Sequence, residues 1–232
     1  MPHSECALTV IMPVLNEAGG MAAALAALAP LINNGAQVIV ADGGSTDATV
    51  RIALANQSPA IKVITASKGR ALQMNAGAAQ ATGKVLLFLH ADTVLPPDAD
   101  VLVQAALAAG VHVWGRFDVR IEGKSRWLPV VAVLMNLRSR LTGIATGDQA
   151  VFMTRSAFAA LEGYALQPLM EDIDISRRLL KLSPPACLRA KVVTSGRRWE
   201  SRGVWRTILL MWRLRFAYWR GTPPERLAQL YR

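Results

Sequence analysis

Four short apolar segments separated by segments of helical character fill the first 100 residues, and this alternation constrains the fold more than any other feature. The apolar segments are residues 8–14, 37–41, 61–65 and 85–89, and the helical segments are residues 22–32, 46–56 and 70–81. Strands that are apolar along their whole length are buried on both faces, as in a parallel sheet between two layers of helices. The sequence therefore predicts an α/β fold of Rossmann-like layout with a mostly parallel central sheet.

The second half of the chain has a less regular pattern. It predicts strands at residues 114–121 and 147–153 and helices at residues 129–141, 171–182 and 203–220. No Pro/Ser-rich linker or internal repeat interrupts the chain, and 232 residues suit one domain. We therefore expect a single domain over residues 1–232.

Polar residues follow three of the predicted strands. They are Asn16-Glu17, the turn from Asp42 to Asp47, and His90-Ala91-Asp92. In a parallel sheet the carboxyl ends of the strands lie at one edge, where ligands bind. These residues should therefore gather at one site although they are far apart in sequence.

The turn from Asp42 to Asp47 contains two glycines, which allow a ligand to approach the backbone, and two carboxylates, which suit hydrogen bonds to a base or ribose. The alternative is a strand-to-helix turn capped by its own side chains. His90 and Asp92 are two positions apart, so in an extended chain they point to the same side and suit a metal. There the alternative is a turn in which Asp92 caps the next segment.

Glu171 and Asp172 begin a predicted helix whose apolar stripe is Ile175, Leu179 and Leu182. Asp172 lies three positions before Ile175, on the inward side. An inward carboxylate in the first turn of a helix is either a match to the helix dipole or a general base. Asp148 is the rival candidate for the base.

The basic character of the chain is confined to its C-terminus. Residues 1–188 contain 15 Lys/Arg and 14 Asp/Glu, whereas residues 189–232 contain 11 Lys/Arg and two Glu. There Trp205, Trp212 and Trp219 recur every seven residues, each followed by an arginine. A basic amphipathic helix on an anionic membrane surface has this pattern, and so does a core helix whose arginine stems reach solvent.

Six short motifs, in order, resemble the family 2 glycosyltransferases of the GT-A fold over nearly the whole chain. They are Pro13-Val14-Leu15-Asn16-Glu17, Asp42-Gly43-Gly44-Ser45-Thr46-Asp47, Lys68-Gly69-Arg70 with Asn75 and Gly77, Leu87-Phe88-Leu89-His90-Ala91-Asp92, Gly147-Asp148-Gln149 and Glu171-Asp172. The resemblance implies an inverting transfer from a nucleoside-diphosphate sugar, with a UDP-sugar favoured, to an acceptor hydroxyl of unknown identity. It also implies a divalent cofactor, Mn²⁺ or Mg²⁺.

The resemblance further implies a role for each matching residue. Asp172 corresponds to the catalytic base, and Glu171 would orient the site. Asp92 and His90 would hold the metal. The nucleotide would be bound by Pro13, Asn16, Glu17, Asp42, Gly43, Ser45, Asp47, Lys68, Arg70, Asn75 and Ala91. The acceptor or diphosphate would contact Gly147, Asp148, Gln149, Arg197, Arg198 and Trp199. Residues 1–95 would form the nucleotide-binding half, residues 96–200 the acceptor and catalytic half, and residues 201–232 the basic amphipathic helix.

Two features depart from the family pattern. His90 replaces the first aspartate of the family's Asp-x-Asp motif, and no histidine follows Asp172, since the histidines are His3, His90 and His112. The paired guanidiniums of Arg197 and Arg198 would compensate by binding phosphate; the alternative is that both are solvated surface charges. The His-Ala-Asp variant and residues 195–199 resemble a bacterial radical-SAM-associated subfamily proposed for arsenosugar assembly.

Two other functions share some of these features. A nucleotidyltransferase has a related layout, but it favours a cationic Gly-rich loop after the first strand, and residues 16–20 contain no cation. A nucleic-acid-binding module would use the arginines and tryptophans of the tail, but the neutral first 188 residues argue against nucleic acid.

We see no signal peptide, and the two distant cysteines, Cys6 and Cys187, suit a reducing compartment. We therefore expect a cytoplasmic protein, located at the inner face of the membrane if the C-terminal helix binds there.

Overall fold

One continuous sheet of eight strands forms the centre of the computed structural model, which describes residues 7–231. The strands are β1 (Leu8–Val14), β2 (Gln37–Asp42), β3 (Ile61–Thr65), β4 (Val85–Phe88), β5 (Thr93–Val94), β6 (Trp114–Glu122), β7 (Phe152–Thr154) and β8 (Ala186–Ser195). Their order across the sheet is β3-β2-β1-β4-β7-β6-β8-β5.

Eleven α-helices accompany these strands within residues 7–231. They are α1 (Ala18–Ala27), α2 (Ala29–Asn33), α3 (Thr49–Ala55), α4 (Arg70–Ala79), α5 (Ala99–Ala108), α6 (Leu128–Thr142), α7 (Arg155–Ala160), α8 (Glu171–Leu179), α9 (Arg197–Arg202), α10 (Val204–Trp219) and α11 (Pro224–Tyr231). A short 3-10 helix, Gly147–Gln149, precedes β7.

The first four strands form the parallel part of the sheet, because β1 pairs in parallel with both β2 and β4, and β2 with β3. In the second part, β7 is antiparallel to both β4 and β6, while β6 and β8 pair in parallel. The predicted α/β fold with a mostly parallel sheet is confirmed. The carboxyl ends of β1, β2 and β4 therefore lie along one edge, where the polar motifs follow them.

Apolar side chains are buried on both faces of the sheet. Met12 and Val38 belong to one core cluster, whereas Ile11 and Ile39, their neighbours along β1 and β2, belong to the cluster on the other face. Side chains alternate between the faces of a strand, so two covered faces require strands that are apolar throughout. This explains the continuous apolar runs in the sequence.

The structure differs from the sequence-based prediction in several elements. Residues 22–32 fall in two helices, α1 and α2, with Pro30 in the first turn of α2. The strand predicted at residues 147–153 is wrong in its first half, which is the 3-10 helix. Leu182 lies beyond the end of α8 and is 46% exposed, so it is not part of the inward stripe. Cys187 is a free thiol, while Cys6 and His3 lie outside the described residues.

Candidate active site

The loops after β1 and β2 are joined by hydrogen bonds between their polar residues. The side chain of Asn16 accepts a hydrogen bond from the Thr46 amide (2.8 Å), and its backbone N–H donates to Ser45 Oγ (2.9 Å). The amide of Ala18 donates to Asp47 (3.1 Å). These contacts fix the two loops relative to each other at the edge where β1 and β2 end.

Asp42 and Asp47 are both held by their own turn. The buried carboxylate of Asp42 accepts hydrogen bonds from the amides of Gly44 (2.9 Å) and Ser45 (3.0 Å). Asp47 accepts from the Thr49 hydroxyl, and this bond lowers the pKa of Asp47 below its usual value. Within the chain these carboxylates therefore stabilise the turn. This agrees with the alternative interpretation from the sequence, a strand-to-helix turn capped by its own side chains.

Gln73 on α4 has a supporting role that the sequence did not indicate. Its buried side-chain amide donates to the carbonyls of Val14 (2.7 Å) and Ala41 (2.8 Å), at the ends of β1 and β2. The amide also leaves no room for a side chain at Gly43, since a Cβ there would lie 2.8 Å from Gln73 Cδ. A lone glutamine in a helix carries no pattern by which this contact could be predicted.

A polar cavity of about 350 Å³ lies at the carboxyl edge of the sheet. Its lining comes from the ends of β1 and β8, from the segments that follow β1, β3, β4 and β8, and from the 3-10 helix. The lining residues are Pro13, Val14, Leu15, Glu17, Lys68, Gly69, Arg70, Gln73, His90, Ala91, Asp92, Asp148, Ser195, Arg198 and Trp199. The topology thus brings together much of the predicted nucleotide and metal set. Asn16, Asp42, Gly43, Ser45, Asp47, Asn75 and Gln149 do not line it.

Bonds within the chain hold Asn75 and Gln149 of this set, and also Arg197, which likewise does not line the polar cavity. Asn75 binds both backbone groups of Tyr164, donating to its carbonyl (2.8 Å) and accepting from its amide (2.9 Å). Gln149 is fully buried, and its backbone closes the 3-10 turn with Thr146. Arg197 lies 3.3 Å from the carboxylate of Glu17 in an exposed ion pair.

A larger cavity of about 560 Å³ lies beside the polar one, between α6, α8 and α10. Its wall is mostly apolar and includes Val131, Leu134, Met135, Leu137, Leu141, Leu169, Met170, Ile173, Ile208, Met211 and Trp212. Glu171 and Asp172 line one end of it, together with Thr146 and Gly147. Arg70, His90, Asp148, Arg198 and Trp199 line both cavities, so the two spaces meet at these residues.

His90 is enclosed at this junction. Its Nδ1 lies 3.3 Å from a carboxylate oxygen of Asp148, while its Nε2 is buried and has no hydrogen-bond partner. Gly147 lies directly against the ring, because any Cβ at this position would collide with the imidazole. The glycine at position 147 is therefore required for His90 to reach the junction.

The carboxylate of Asp172 is positioned at the start of α8 and accepts a hydrogen bond from the Gly147 amide (2.8 Å). Its neighbour Glu171 is buried and forms an ion pair with Arg70 at 2.9 Å. Burial, together with the charge of Glu171, raises the pKa of Asp172 to about 6, although Arg70 and His90 oppose the shift.

The pKa of Asp148 is shifted in the opposite direction. Burial alone would raise its pKa, but the hydrogen bond and charge of His90 hold the pKa of this carboxyl below its usual value. A general base works best with a pKa near the working pH, and paired carboxylates with diverging pKa values usually have different roles. Of the two carboxyls, Asp172 has the pKa that lies nearer to neutral pH.

The donor groups at the junction and beside it in the polar cavity fit a divalent metal in part. Asp92 supplies a carboxylate on the wall of the polar cavity, and the unpartnered Nε2 of His90 is a nitrogen ligand of suitable type. Residues 7–231 contain no group of three or more His, Cys, Asp or Glu side chains arranged to hold a metal. A metal bound here would therefore take its remaining ligands from water and from a bound ligand.

Four other residues at the cavities were not singled out as site residues from the sequence. Ser195 lines the polar cavity, while Arg138, Arg215 and Tyr231 line the apolar one. The hydroxyl of Tyr231 accepts a hydrogen bond from Arg198 (2.7 Å), which connects α11 to the junction. These residues lie on helices or a strand whose mutual packing the sequence pattern does not specify.

Comparison with known proteins places the chain among sugar-transferring enzymes. The family described as Glycosyl transferase family 2 matches residues 9–165. A relative from Mycobacterium tuberculosis (strain ATCC 25177 / H37Ra), the PGL/p-HBAD biosynthesis glycosyltransferase, is 31% identical over 180 residues, which are 73% of this chain and 68% of the relative.

Solved structures share the fold. Staphylococcus aureus TarS 1-349 in complex with UDP-GlcNAc has a TM-score of 0.66 and 16% identity, with 82% of this chain and 58% of that chain covered. The mannosyltransferase PcManGT from Pyrobaculum calidifontis in complex with GDP-Man and Mn²⁺ has a TM-score of 0.62 and 23% identity, with 93% and 62% covered. This chain thus spans less than two thirds of either solved chain.

Proposed function

Because the chain belongs to the family 2 glycosyltransferases and has their GT-A fold, we propose that it transfers a sugar from a nucleoside-diphosphate sugar to an acceptor hydroxyl with inversion at the anomeric carbon. The family assignment favours glycosyl transfer over nucleotidyl transfer. A UDP-sugar is the favoured donor, because TarS was solved in complex with UDP-GlcNAc; GDP-mannose, which is bound in the PcManGT structure, is the second candidate. The resemblance to the radical-SAM-associated subfamily stays a prediction.

The observation that carries the proposal is the junction of the two cavities. A donor in the polar cavity would place its diphosphate beside Arg70, His90 and Arg198, where this cavity meets the larger one. Asp172 lies on the far side of that junction. A donor bound in this way and the proposed base would lie on opposite sides of the junction, as displacement at the anomeric carbon requires.

The chemical step follows from this arrangement. The acceptor oxygen forms a bond to the anomeric carbon as its proton passes to Asp172. The bond from the anomeric carbon to the diphosphate breaks, and the nucleoside diphosphate leaves with the electron pair. Arg70 and Arg198 would stabilise the negative charge that develops on the leaving group. Glu171 acts as a positioning residue, because its ion pair holds Arg70.

We assign Asp92 and His90 as the metal ligands, with Mn²⁺ or Mg²⁺ as the ion. When bound, such an ion adds charge stabilisation to the departing diphosphate.

We further propose that residues 1–95 bind the nucleotide, residues 96–200 form the acceptor side, and residues 201–232 contact an anionic membrane surface. The exposed tryptophans of α10 support this contact. No helix within residues 7–231 has both the length and the apolar character needed to span a bilayer.

Calorimetry with UDP, UDP-sugars and GDP-mannose, each with and without Mn²⁺ or Mg²⁺, tests the donor and metal assignments. We expect binding that the metal strengthens, and loss of the metal effect in Asp92→Ala. Asp98→Ala is the matched control, because Asp98 is an exposed aspartate near the start of α5. Unchanged metal-dependent affinity in folded Asp92→Ala would reject the metal site, and absence of nucleotide binding would reject the donor assignment.

A further inference from the structure

The surface beside the larger cavity is apolar to an unusual degree. On α6, Val133, Leu134, Leu137 and Leu141 are each at least half exposed, and on α10 the same is true of Trp205, Leu209, Trp212, Phe216 and Trp219. Trp127, just before α6, contacts Trp205 with ring centroids 5.0 Å apart. A contiguous apolar surface of this kind marks a binding site rather than ordinary solvent-facing surface.

This surface continues into the interior of the protein. Leu134, Leu137 and Trp212 belong both to the exposed face and to the wall of the 560 Å³ cavity. The other end of the same cavity is lined by Asp172 and His90. An apolar passage therefore leads from the surface between α6 and α10 to the proposed base.

Two guanidinium groups line this apolar passage without an acid partner. The Nε and Nη2 atoms of Arg138 are buried and have no hydrogen-bond partner. No hydrogen bond or ion pair to Arg215 occurs within residues 7–231, and burial lowers the pKa of Arg215 to about 10. A guanidinium is a permanently charged donor group, and a buried or half-buried one without a partner is costly. Neither group is paired with the acids that line the same cavity, Asp148, Glu171 and Asp172, so an anionic ligand would supply the missing partner.

We propose that the acceptor is a phosphate-bearing amphiphile, whose apolar chain lies in the cleft between α6 and α10, whose phosphate contacts Arg138 and Arg215, and whose hydroxyl is directed toward Asp172. This inference rests on the proposed glycosyl transfer and specifies the acceptor class. The apolar wall accounts for the chain, and two unpaired guanidiniums match a dianion better than they match a monoanionic carboxylate.

The charge around the cleft identifies its occupant as an anionic amphiphile. The exposed face of α10 is flanked by Arg206, Arg213 and Arg220, and residues 189–232 contain 11 Lys/Arg against two Glu. A second copy of this chain would bring the same positive charge to the face, and like charges repel across an interface. An anionic lipid surface, from which such an acceptor would be taken, is attracted to it.

The inference is tested by calorimetric titration with dodecyl phosphate below its micellar concentration. We expect one saturable site, weaker binding of laurate, and no binding of ethyl phosphate or of dodecyltrimethylammonium. Shortening the alkyl chain should weaken binding by up to about fourfold per buried methylene. Arg138→Gln and Arg215→Gln should each weaken binding of dodecyl phosphate by about tenfold.

Arg226→Gln on α11 is the matched control, because Arg226 is exposed and does not line the cavity. Leu137→Ser is a second variant that leaves both guanidiniums in place and should reduce the dependence on chain length. Circular dichroism verifies that each variant is folded. Equal affinity of wild type, Arg138→Gln and Arg215→Gln overturns the inference, as does a protein dimer in sedimentation that excludes dodecyl phosphate.

UDP binding, measured in the same samples, separates this inference from the proposed function. Loss of dodecyl phosphate binding with intact UDP binding rejects the acceptor class alone. Loss of UDP binding with intact dodecyl phosphate binding rejects the donor assignment and leaves the amphiphile site. The variants Arg138→Gln and Arg215→Gln should retain the UDP affinity of the wild type, because neither residue lines the polar cavity.

Discussion

The polar cavity and the apolar cavity meet at the same five residues but are built in different ways. The polar cavity lies at strand ends, and the loops that surround it are held by hydrogen bonds such as those of Asn16 and Gln73. The apolar cavity lies between helices, and its guanidiniums, Arg138 and Arg215, lack partners within the described chain. The loops of the polar side are thus held by bonds within the chain, while the helices of the apolar side carry two guanidiniums that have no acid partner.

This difference indicates which substrate each side serves. A preorganised polar site suits a small, highly charged nucleotide, because little reorganisation is needed when charge develops there. An apolar passage with unpaired cations gains most from an amphiphilic ligand, which removes apolar surface from water and supplies the missing anion. The base, Asp172, lies on the apolar side, where the acceptor would enter.

The largest expected effect is on turnover, and it distinguishes the role of the apolar cavity from that of the polar cavity. Asp172→Asn should lower turnover by about 10²–10⁴, because an amide cannot take the proton of the acceptor hydroxyl. The affinity for UDP should stay unchanged, since Asp172 does not line the polar cavity. Turnover is measured with an accepted hydroxyl compound or, failing that, as hydrolysis of the donor to nucleoside diphosphate.

Asp148→Asn provides the comparison for this experiment. Asp148 lines both cavities, and its pKa is lowered, so its replacement should affect UDP affinity more than proton transfer. Near-normal turnover in Asp172→Asn, together with loss of turnover in Asp148→Asn, would exchange the roles of these residues. The division between a donor side and an acceptor side would then have to be redrawn around Asp148.

The sequence predicted the polar side better than the apolar side, for a physical reason. Residues such as Glu17 and Asp92 follow buried strands, and parallel topology brings strand ends together whatever the details of packing. Arg138 and Arg215 come together only because α6 and α10 pack on either side of one cleft. Helix periodicity does not specify which helices become neighbours, so these two arginines could not be singled out.

Two other local structures could not be predicted from the sequence pattern. The 3-10 helix at Gly147–Gln149 lies in a run that is compatible with a strand, and the close approach of Gly147 to His90 is a tertiary contact. The start of α8 is defined by Met170, whose φ of 68° is left-handed although it is not a glycine. Only the fold around these residues selects such conformations. By contrast, β1 and β3 were predicted with their observed bounds.

The next largest effect concerns the surface outside the apolar cavity. A triple variant, Arg206→Gln with Arg213→Gln and Arg220→Gln, should weaken binding to phosphatidylglycerol vesicles by roughly a hundredfold at low salt, since each cation near an anionic surface contributes about 1 kcal/mol. Vesicle co-sedimentation measures this effect. UDP affinity should not change, because none of the three arginines lines the polar cavity.

Arg51→Gln on α3 is the control for vesicle binding, since Arg51 is exposed and lies outside the basic C-terminal segment. Phosphatidylcholine vesicles should bind neither protein. Equal binding of wild type and triple variant to the anionic vesicles would assign α10 to contacts other than a membrane. The apolar cavity would then have to receive its ligand from solution.

The smallest expected effect needs no substrate and tests the environment of Asp172 itself. Its pKa is raised from 3.8 to about 6 in the folded chain by burial and by Glu171, so the folded state binds this proton more tightly than the unfolded state does. Stability therefore falls as pH rises through this interval, and above pH 6 the charged carboxylate remains a constant penalty. Asp172→Asn removes that penalty and should raise the free energy of unfolding at pH 8 by on the order of 1 kcal/mol, or about 2–4 °C in Tm. The gain should fade below about pH 4, where the wild-type carboxyl is protonated in both states.

Thermal unfolding of wild type, Asp172→Asn and the exposed control Asp98→Asn across this pH range measures the difference. A gain for Asp172→Asn that does not vary with pH would mean that Asp172 is not the strained carboxylate between the donor and acceptor sides.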